Sequence, residues 1–407
     1  MAGRVRPRPA NGEYYDDYEM PEPVRPKAKK RPPREVSAEV RVVGSIDYVM
    51  LFVVAILVLF GIVMVFSASY MMAGARFDNP FHFLQRSIPF AAVGFVVMLF
   101  LANFNYELLR PLSTLLYLIS IVFLIMVIFV GEDHGGATRW LEIFGFQFQP
   151  SEVARAAIIF MMAYMMERYP KLPRTLLGII FLGGMVGIIV GLIAQPGGLT
   201  MALLTAAVGL GMIAIAGPFF WRLMFVGGIG AAGVGGYLWW SAVTGSGFRG
   251  SRFLVWLDPF IDEQGRGYQT IQSLQAIASG EWFGVGVGNS RQASFVPEPH
   301  NDIIFSIIIE EFGFIGAVVI IALFAIFLWR GIIASMRAPD TFSALVALGI
   351  VFSIGFQAII NIAVVTNTIP NTGVNLPFIS YGGTSLLVSM AMVGVLLNIS
   401  RYSVQKK

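Results

Sequence analysis

The stretch YVMLFVVAILVLFGIVMVFSA, residues 48–68, decides the fold because it contains no charged side chain. A helix rises about 1.5 Å per residue, so this run covers about 30 Å, the thickness of the hydrocarbon core of a bilayer. A second run, LSTLLYLISIVFLIMVIFVG at residues 112–131, has the same character. Backbone groups inside lipid must bond within their own segment, so each run predicts a transmembrane helix.

The composition extends this prediction to the whole chain. Of its 407 residues, 56% are hydrophobic and 13% are charged, and the mean hydropathy is +0.73, well above that of soluble domains. We predict an all-α integral membrane protein with about ten transmembrane helices. The predicted spans are residues 47–69, 88–104, 111–131, 151–168, 174–195, 198–216, 219–241, 303–329, 341–366 and 378–400.

The distribution of positive charge predicts the orientation. An even number of spans places both termini on one side, and twenty of the 28 Lys and Arg residues fall on that side. The positive-inside rule assigns that side to the cytoplasm. We therefore predict a multi-pass membrane protein with both termini in the cytoplasm.

Three regions are expected along the chain. Residues 1–45 are rich in Pro and charge and predict a disordered, basic cytoplasmic tail, which either rests on anionic lipid or serves only to set the orientation. Residues 46–402 form the polytopic membrane domain, and residues 403–407 a short cytoplasmic tail. Between the seventh and eighth spans, residues 241–301 form an extracytoplasmic loop whose length indicates a function.

Two charges fall within the fourth span. Glu152 and Arg155 lie three residues apart, close enough to pair on one face of a helix. Ions inside a membrane are costly and usually face the protein interior. The pair is either structural or takes part directly in binding the substrate.

Arginines in the outer loops suggest an anionic ligand. Arg139 precedes Trp140, and alone it would be an interface anchor. Together with Arg155, and with Arg249 and Arg252 in FRGSRF, it gives several cations on the outer side. A guanidinium offers paired donors to phosphate oxygens, so a diphosphate is the expected partner.

The stretch PEPHNDIIFSIIIEEFGFIG, residues 297–316, carries the strongest candidate for catalysis. Asp302 either caps the helix that follows or acts as a general base on a substrate from outside. Glu298 and His300 are candidates for a supporting role beside it. If Asp302 is the first residue of the helix, Ser306 and Gly313 share its face and continue a small, polar stripe inward.

Two adjacent glutamates lie further along the same helix. Glu310 and Glu311 point about 80° and 180° away from Asp302, so they cannot both face one cavity. At least one should pair with another helix, and a structural role is the favoured interpretation, with Glu310 retained as a supporting candidate.

The last outer loop, NTIPNTGVNLPFISYGGTS from residue 367, contains Ser380 and Tyr381. It is either a turn or a cavity wall, and its density of polar groups favours the wall. The sequence contains no Walker A motif, no H-E-x-x-H and no Cys, so nucleotide-driven chemistry is not expected, nor is a nucleic-acid partner.

These motifs resemble the SEDS family, the FtsW, RodA and SpoVE proteins of bacteria. The resemblance covers roughly residues 45–402 and rests on GATRW, FQPSEVAR, LDPF, VPEPHNDIIFSIIIEEFGFIG and LPFISYGGTSL, in family order. The GNSRQ form at residues 288–292 and the long tail look more like the division branch, FtsW, although a sporulation paralogue would look much the same.

The resemblance implies a peptidoglycan glycosyltransferase that polymerises lipid II into glycan strands outside the cytoplasmic membrane. It implies a class B penicillin-binding protein and other division proteins as partners, and a location at the septum. The family's essential aspartate falls on Asp302, its arginine before Trp on Arg139, and its lysine after Gln-Pro-Ser-Glu on Arg155. Gly197 and Ala293 depart from the family pattern, which commonly has Asp and Lys there.

Three functions are compatible with these features. An inverting transferase would use Asp302 to deprotonate the acceptor, with arginines or a divalent cation, Mg²⁺ or Mn²⁺, steadying the departing diphosphate. A lipid II flippase would also need a polar cavity and arginines, and a division scaffold would only position its partner. Long loops and motifs gathered on one side favour the enzyme.

Overall fold

The computed structural model describes residues 41–133, 138–143, 146–196, 198–217, 221, 228, 255–265 and 267–404. Ten α-helices are described, and they are numbered α1 to α10 in chain order. Their bounds are α1 Tyr48–Phe77, α2 His82–Asn103, α3 Leu109–Val130, α4 Pro150–Arg168, α5 Leu176–Ala194, α6 Leu199–Ile215, α7 Tyr268–Gly280, α8 Ile304–Met336, α9 Thr341–Val365 and α10 Gly383–Arg401.

The all-α membrane fold is confirmed. Nine of the ten predicted spans coincide with described helices, and the remaining span, residues 219–241, falls almost wholly outside the described residues. Seven of these helices are long and apolar enough to cross a membrane. Helix α6 is shorter, with 17 residues. Helix α4 is continuous, but its apolar sequence contains the charged residues Glu152 and Arg155.

Lipid-facing and interior surfaces differ as expected for a helical membrane protein. Large apolar side chains such as Phe129 and Leu177 are at least 80% exposed, as suits contact with acyl chains. Inside, close helix packing depends on small residues. A Cβ on Gly61 of α1 would lie 2.6 Å from the carbonyl oxygen of Phe378, so only glycine allows this approach.

Both ends of the described chain meet at one end of the helices, the terminal face. Strand β1 (Arg41–Val43) pairs antiparallel with β5 (Tyr402–Val404). Beside this two-stranded sheet, Asp47 caps α1 and its Oδ2 lies 2.7 Å from Nη2 of Arg330 on α8. Strand β1 lies within the residues that the sequence assigned to the tail, and residues 1–40 lie outside the described part.

A second carboxylate organises the terminal face at the start of α9. Asp340 accepts hydrogen bonds from the Ser343 backbone N–H at 2.9 Å and from the Tyr106 hydroxyl at 2.7 Å. Its Oδ1 lies 3.0 Å from Nη2 of Arg110, which also reaches Glu167 at 3.2 Å. This network joins the start of α3, the end of α4 and the start of α9.

The opposite end of the helices, the cavity face, contains irregular backbone. A three-stranded antiparallel sheet, β2 (Glu132–Asp133), β3 (Thr138–Ile143) and β4 (Phe146–Phe148), precedes α4. Helix α7 and the loop that follows it lie on this face, because α7 packs against the first part of α8.

Helix α8 is broken at Gly313, which has φ 69° and ψ −169°. A Cβ at this position would lie 2.4 Å from the carbonyl oxygen of Trp282, so a side chain is excluded both by space and by backbone conformation. The loop after α7 occupies the break, with the Val285 N–H bonded to the Glu310 carbonyl at 2.8 Å and the Phe314 N–H to the Glu281 carbonyl at 2.9 Å.

This break corrects one expectation from the sequence. The helix begins at Ile304 rather than at Asp302, and Gly313 interrupts it, so no continuous stripe runs inward from Asp302 to Gly313. An uninterrupted count of 100° per residue was wrong because the backbone partners in residues 281–286 replace the helical hydrogen bonds at the break.

Candidate functional site

The backbone of Asp302 is held in place by a buried side-chain amide. The side-chain amide of Asn361, near the end of α9, donates to the Asp302 carbonyl and to the Val374 carbonyl, both at 2.6 Å. Asn361 is fully buried. One amide group therefore joins the turn before α8 to the loop before α10, at the level where α9 ends.

The carboxylate of Asp302 is only partly exposed. Its Oδ1 accepts a hydrogen bond from Nε2 of Gln269, in the first turn of α7, at 3.1 Å. Burial raises the pKa of Asp302 to about 6, and the negative charge of Glu298 adds to this rise, whereas the bond from Gln269 and backbone N–H groups oppose it. A carboxylate with such a pKa can accept a proton near neutral pH and release it again.

A cavity of about 300 Å³ opens beside this carboxylate. Its lining comes from four parts of the chain that are distant in sequence. Among the lining residues are Arg139, Trp256, Tyr268, Gln269, Asp302 and Asn371. The structure therefore brings Arg139 of β3 and Asp302 to the lining of one cavity.

His300 and Glu298 flank Asp302 but have different environments. His300 is buried, with its ring 4.0 Å from that of Phe83 and 5.3 Å from that of Tyr381, and burial lowers its pKa to about 3. The imidazole is therefore neutral and packs as an aromatic ring. Glu298 is exposed, and its Oε2 accepts from Nδ2 of Asn301 at 2.7 Å.

Ser306, Ser380 and Tyr381 support the turns around Asp302. The Ser306 hydroxyl donates to the Ile303 carbonyl at 2.8 Å, and the Ser380 hydroxyl accepts from the Leu376 N–H at 2.8 Å. The Tyr381 N–H donates to the His300 carbonyl at 2.9 Å. None of these side chains is among the residues that line the cavity.

The two glutamates of α8 bind different neighbours, as expected. Glu310 accepts from the Ser290 hydroxyl at 2.5 Å and from the backbone N–H groups of Arg291 and Gln292 at 3.0 and 3.3 Å. Glu311 accepts from the Ser67 hydroxyl of α1 at 2.6 Å. Both carboxylates hold the loop that leads to Asp302, because Ser67 also accepts from the Gly288 N–H in that loop.

Glu152 and Arg155 form the predicted ion pair on α4, and each side chain is no more than 1% exposed. Neither residue lines the cavity. Within the described residues, the Oε1 atom of Glu152 and the Nε and Nη1 atoms of Arg155 have no hydrogen-bond partner. Arg155 therefore lies inside the helix bundle, and the structure does not bring it to the cavity that Arg139 lines.

The sequence of this chain is similar to those of known proteins. Residues 47–405 match the family model FTSW_RODA_SPOVE, described as cell cycle protein. The chain belongs to the FtsW/RodA/SpoVE family. Two similar relatives are the stage V sporulation protein E of Bacillus subtilis (strain 168), 39% identical over 88% of this chain and 98% of the relative, and the probable peptidoglycan glycosyltransferase FtsW of Trichlorobacter lovleyi, 41% identical over 87% and 93%.

Solved structures have the same fold as this FtsW/RodA/SpoVE protein. One belongs to a peptidoglycan synthase complex described as coordinating polymerization and crosslinking; it is 26% identical, with a TM-score of 0.73 over 88% of this chain and 98% of that one. The rod shape determining protein RodA of Thermus thermophilus is 24% identical, with a TM-score of 0.64 over 89% and 98%, and this likeness shows the fold alone.

Several residues singled out from the sequence cannot be placed or take a different setting. Arg249, Arg252 and Gly197 lie outside the described residues. Ala293 is 4% exposed within the apolar core, and its N–H donates to the Ser290 hydroxyl at 3.0 Å. It is not among the residues that line the cavity.

The sequence missed Gln269, Asn371 and Asn361 as site residues. Each is an uncharged amide, and neither periodicity nor charge separates it from an ordinary loop or helix residue. Gln269 falls within GYQTIQSLQ and Asn371 within IPNTG, two of the loops that were expected to form the outer side. The position of these amides against Asp302 becomes visible only once α7 and the loop before α10 are packed together.

The described residues form no protein cage for a divalent cation, because among them no group of three or more His, Asp or Glu side chains is placed to hold a metal. Asp302 is the carboxylate among the residues that line the described cavity, so a cation beside it would need water or substrate oxygens as further ligands. The divalent cation expected from the sequence stays a prediction.

Proposed function

We propose that this protein polymerises lipid II into glycan strands at the outer face of the cytoplasmic membrane, as an inverting peptidoglycan glycosyltransferase. The observation that carries the proposal is the shared cavity, which places the Asp302 carboxylate and the Arg139 guanidinium at one opening on the cavity face. The names of several relatives, probable peptidoglycan glycosyltransferase, support the same reaction class.

In the proposed reaction, Asp302 removes the proton from the acceptor hydroxyl through Oδ2, the oxygen that does not accept the Gln269 amide. The hydroxyl oxygen attacks the anomeric carbon of the donor, and the bond from that carbon to the diphosphate oxygen breaks with its electron pair. An α-linked diphosphate is thereby converted into a β-1,4 glycosidic bond. Arg139 neutralises charge on the leaving diphosphate, and Asp302 returns its proton to solvent.

The orientation is part of the proposal. Strands β1 and β5 place residues 41–43 and 402–404 together, and the excess of Lys and Arg near that end assigns it to the cytoplasm. The cavity face then lies outside, where lipid-linked disaccharide would be met. Single cysteines at exposed Glu263 and Lys171 test this: a membrane-impermeant maleimide applied to intact cells should label the first alone, and equal labelling would exclude the orientation.

A role in septal synthesis with a class B penicillin-binding protein and other division proteins is proposed on two grounds. Several named relatives are FtsW proteins, and a similar solved chain comes from a peptidoglycan synthase complex. The sporulation relative is similar to the same degree. Depletion followed by imaging of labelled cell wall would separate failed septation from failed sporulation.

The decisive test uses the purified full chain in liposomes with labelled lipid II, alone and with its cognate penicillin-binding protein. Glycan polymer supports the transferase, and the Asp302→Asn variant should make it at a rate lower by roughly 10² or more. Movement of lipid II across the bilayer without polymer would instead favour a flippase. If neither occurs, with the partner bound, the protein is a scaffold and the proposal fails.

A further inference from the structure

Asp302 lies at the end of a chain of hydrogen bonds that begins at a backbone N–H. The Gly373 N–H donates to Oδ1 of Asn371 at 3.3 Å, Nδ2 of Asn371 donates to Oε1 of Gln269 at 2.9 Å, and Nε2 of Gln269 donates to Oδ1 of Asp302 at 3.1 Å. Each link joins a donor to an acceptor, and the chain crosses three separate parts of the sequence.

The direction of this chain is imposed by its first member. A backbone N–H can only donate, so the Asn371 side chain turns its oxygen to Gly373 and its nitrogen to Gln269. Gln269 must then present its oxygen to Asn371 and its nitrogen to the carboxylate. The amide of Gln269 therefore has one favourable orientation, in which it donates to ionised Asp302.

Gln269 and Gly373 are each held in place by their surroundings. One turn along α7 from Gln269, the buried hydroxyl of Ser273 donates to the Val365 carbonyl at 3.0 Å, which attaches the start of α7 to the end of α9. Gly373 has φ 62°, a conformation that favours glycine, and a Cβ there would lie 3.7 Å from Oδ2 of Asp302. The turn that starts the chain thus also lies beside Oδ2.

We propose that Gln269, oriented by Asn371, is the positioning residue that selects Oδ2 of Asp302 as the proton-accepting atom. Because the Gln269 amide donates to Oδ1, Oδ2 is the carboxylate oxygen that this amide leaves to the acceptor hydroxyl. The same amide stabilises the ionised form of the carboxylate, which the base requires. This inference rests on the proposed function, since it assigns the base of that reaction.

The test is the pH dependence of glycan synthesis by the full chain with its partner and lipid II. In Gln269→Leu the donor is lost, so the pKa of Asp302 should rise and the acid limb of the rate profile should move up by about one pH unit. The rate at pH 6 should fall about fivefold, and about tenfold at lower pH, and recover at high pH. Gln275→Leu, at an exposed position of the same helix, should keep the wild-type profile.

Other groups that face Asp302 stay the same in these variants. They are Glu298 and His300 on its own turn, Arg139 from β3 and Tyr268 from α7. A profile for Gln269→Leu that matches wild type in rate and acid limb would overturn the proposal. A uniform loss at every pH would also overturn it, since that pattern indicates damage to the fold.

Asn371→Asp tests the orientation. The new carboxylate can still accept from Gly373 but can no longer donate, so Gln269 should turn its amide and direct oxygen at Asp302. The added charge also acts directly, and a double-mutant cycle separates the two effects. In the Gln269→Leu background, Asn371→Asp should shift the profile much less than in wild type. Additive shifts would show that Asn371 does not act through Gln269.

Two further variants keep the outcomes distinguishable. If Gln269→Leu does not reach the membrane, Asn371→Ala provides the same measurement with α7 unaltered, and an unchanged profile there overturns the inference. Asp302→Asn reports on the proposed function alone. If that variant polymerises lipid II at the wild-type rate, Asp302 is not the base and the proposed mechanism fails, whatever Gln269 does.

Discussion

Asp302 and Asp340 are the same residue type, each next to the start of a long helix, at opposite ends of the bundle. Asp340 at the terminal face receives a backbone N–H, two hydroxyl groups and a guanidinium. Burial alone would raise its pKa, but the Ser343 and Tyr106 hydrogen bonds and the Arg110 charge together hold the pKa below its usual value. Asp302 has one side-chain donor, Gln269, and its pKa is raised to about 6.

The difference shows how the same carboxyl group becomes structural or reactive. A carboxylate bonded by hydroxyl groups and paired with a guanidinium stays ionised and joins helices, as Asp340 joins α3 to α9. One that lines a cavity, with its pKa raised towards neutrality by burial, can take up a proton. The hydroxyl donors and the cationic partner, rather than the position beside a helix, distinguish the two groups.

The largest expected effect is on catalysis at Asp302. Asp302→Asn keeps the shape of the side chain but removes the base, so glycan synthesis should fall by roughly 10² or more. Expression and partner binding should stay normal, because the Asn361 bond reaches the backbone carbonyl of residue 302. Asp302→Glu should also be poor, because the carboxylate moves by about a bond length.

The measurement is polymer formation from labelled lipid II by the purified variant. Near wild-type synthesis by Asp302→Asn would remove this residue from the mechanism and make the two aspartates equivalent. Attention would then move to Glu298, the other carboxylate beside the cavity turn.

A smaller effect is expected at Arg139. Arg139→Ala should lower the rate with lipid II about tenfold, through loss of charge-assisted bonds to the diphosphate. Arg139→Lys retains a cation without the fork, so it should recover only part of the rate. Steady-state assays with lipid II at several concentrations measure both variants, and full recovery by Lys would show that paired donors are not required.

Asp340 should respond in stability rather than in activity. Asp340→Asn can still cap α9 but loses the charge that attracts Arg110, so the free energy of unfolding should fall by about 1 kcal/mol. The rate per folded molecule should not change. Thermal denaturation in detergent, with an activity assay on the same sample, tests this, and a lost rate at wild-type stability would contradict the contrast between the two aspartates.

The smallest effect is a pair of opposite pH trends. The folded-state pKa of Asp340 is depressed, so its contribution to stability is present above about pH 4 and is lost as the pH falls through the lower folded value. The folded-state pKa of Asp302 is raised to about 6, so the folded protein binds more protons between about pH 4 and 6. As the pH rises from about 4 to 6, the free energy of unfolding should therefore decline while the rate of glycan synthesis rises.

Denaturation midpoints at half-unit steps of pH would measure these trends. Asp302→Asn should remove the decline between about pH 4 and 6 and leave the loss of stability at lower pH. If the variant kept the full decline, the raised pKa would belong to another group.

Much of the fold could be predicted from the sequence because membrane helices are encoded locally. Each apolar run predicts its own helix, and the pairing of Glu152 with Arg155 follows from a spacing of three on one helix. The break at Gly313 could not be predicted in this way. Its backbone partners lie in residues 281–286, so a helical pattern that looks continuous is interrupted by a tertiary contact.

The same distinction between local and tertiary information applies to the candidate site. Charged residues in polar outer loops, Asp302 and Arg139, could be predicted to converge, since few places in a membrane protein tolerate them. Gln269 and Asn371 could not, because an amide has no preference that distinguishes a hydrogen-bonded role from a solvated one. Their role depends on atoms brought together from α7 and the loop before α10.

Residues 41–43 leave the ribosome before any described helix, and their partners, residues 402–404, follow the last of them. During translation the backbone donors and acceptors of β1 therefore lack their β5 partners until almost the whole described chain has been inserted. A product that stopped after α10 would contain every described helix and still expose that strand. Unpaired strand edges are sites where other chains bind, so such a product would expose a binding edge that β5 otherwise covers.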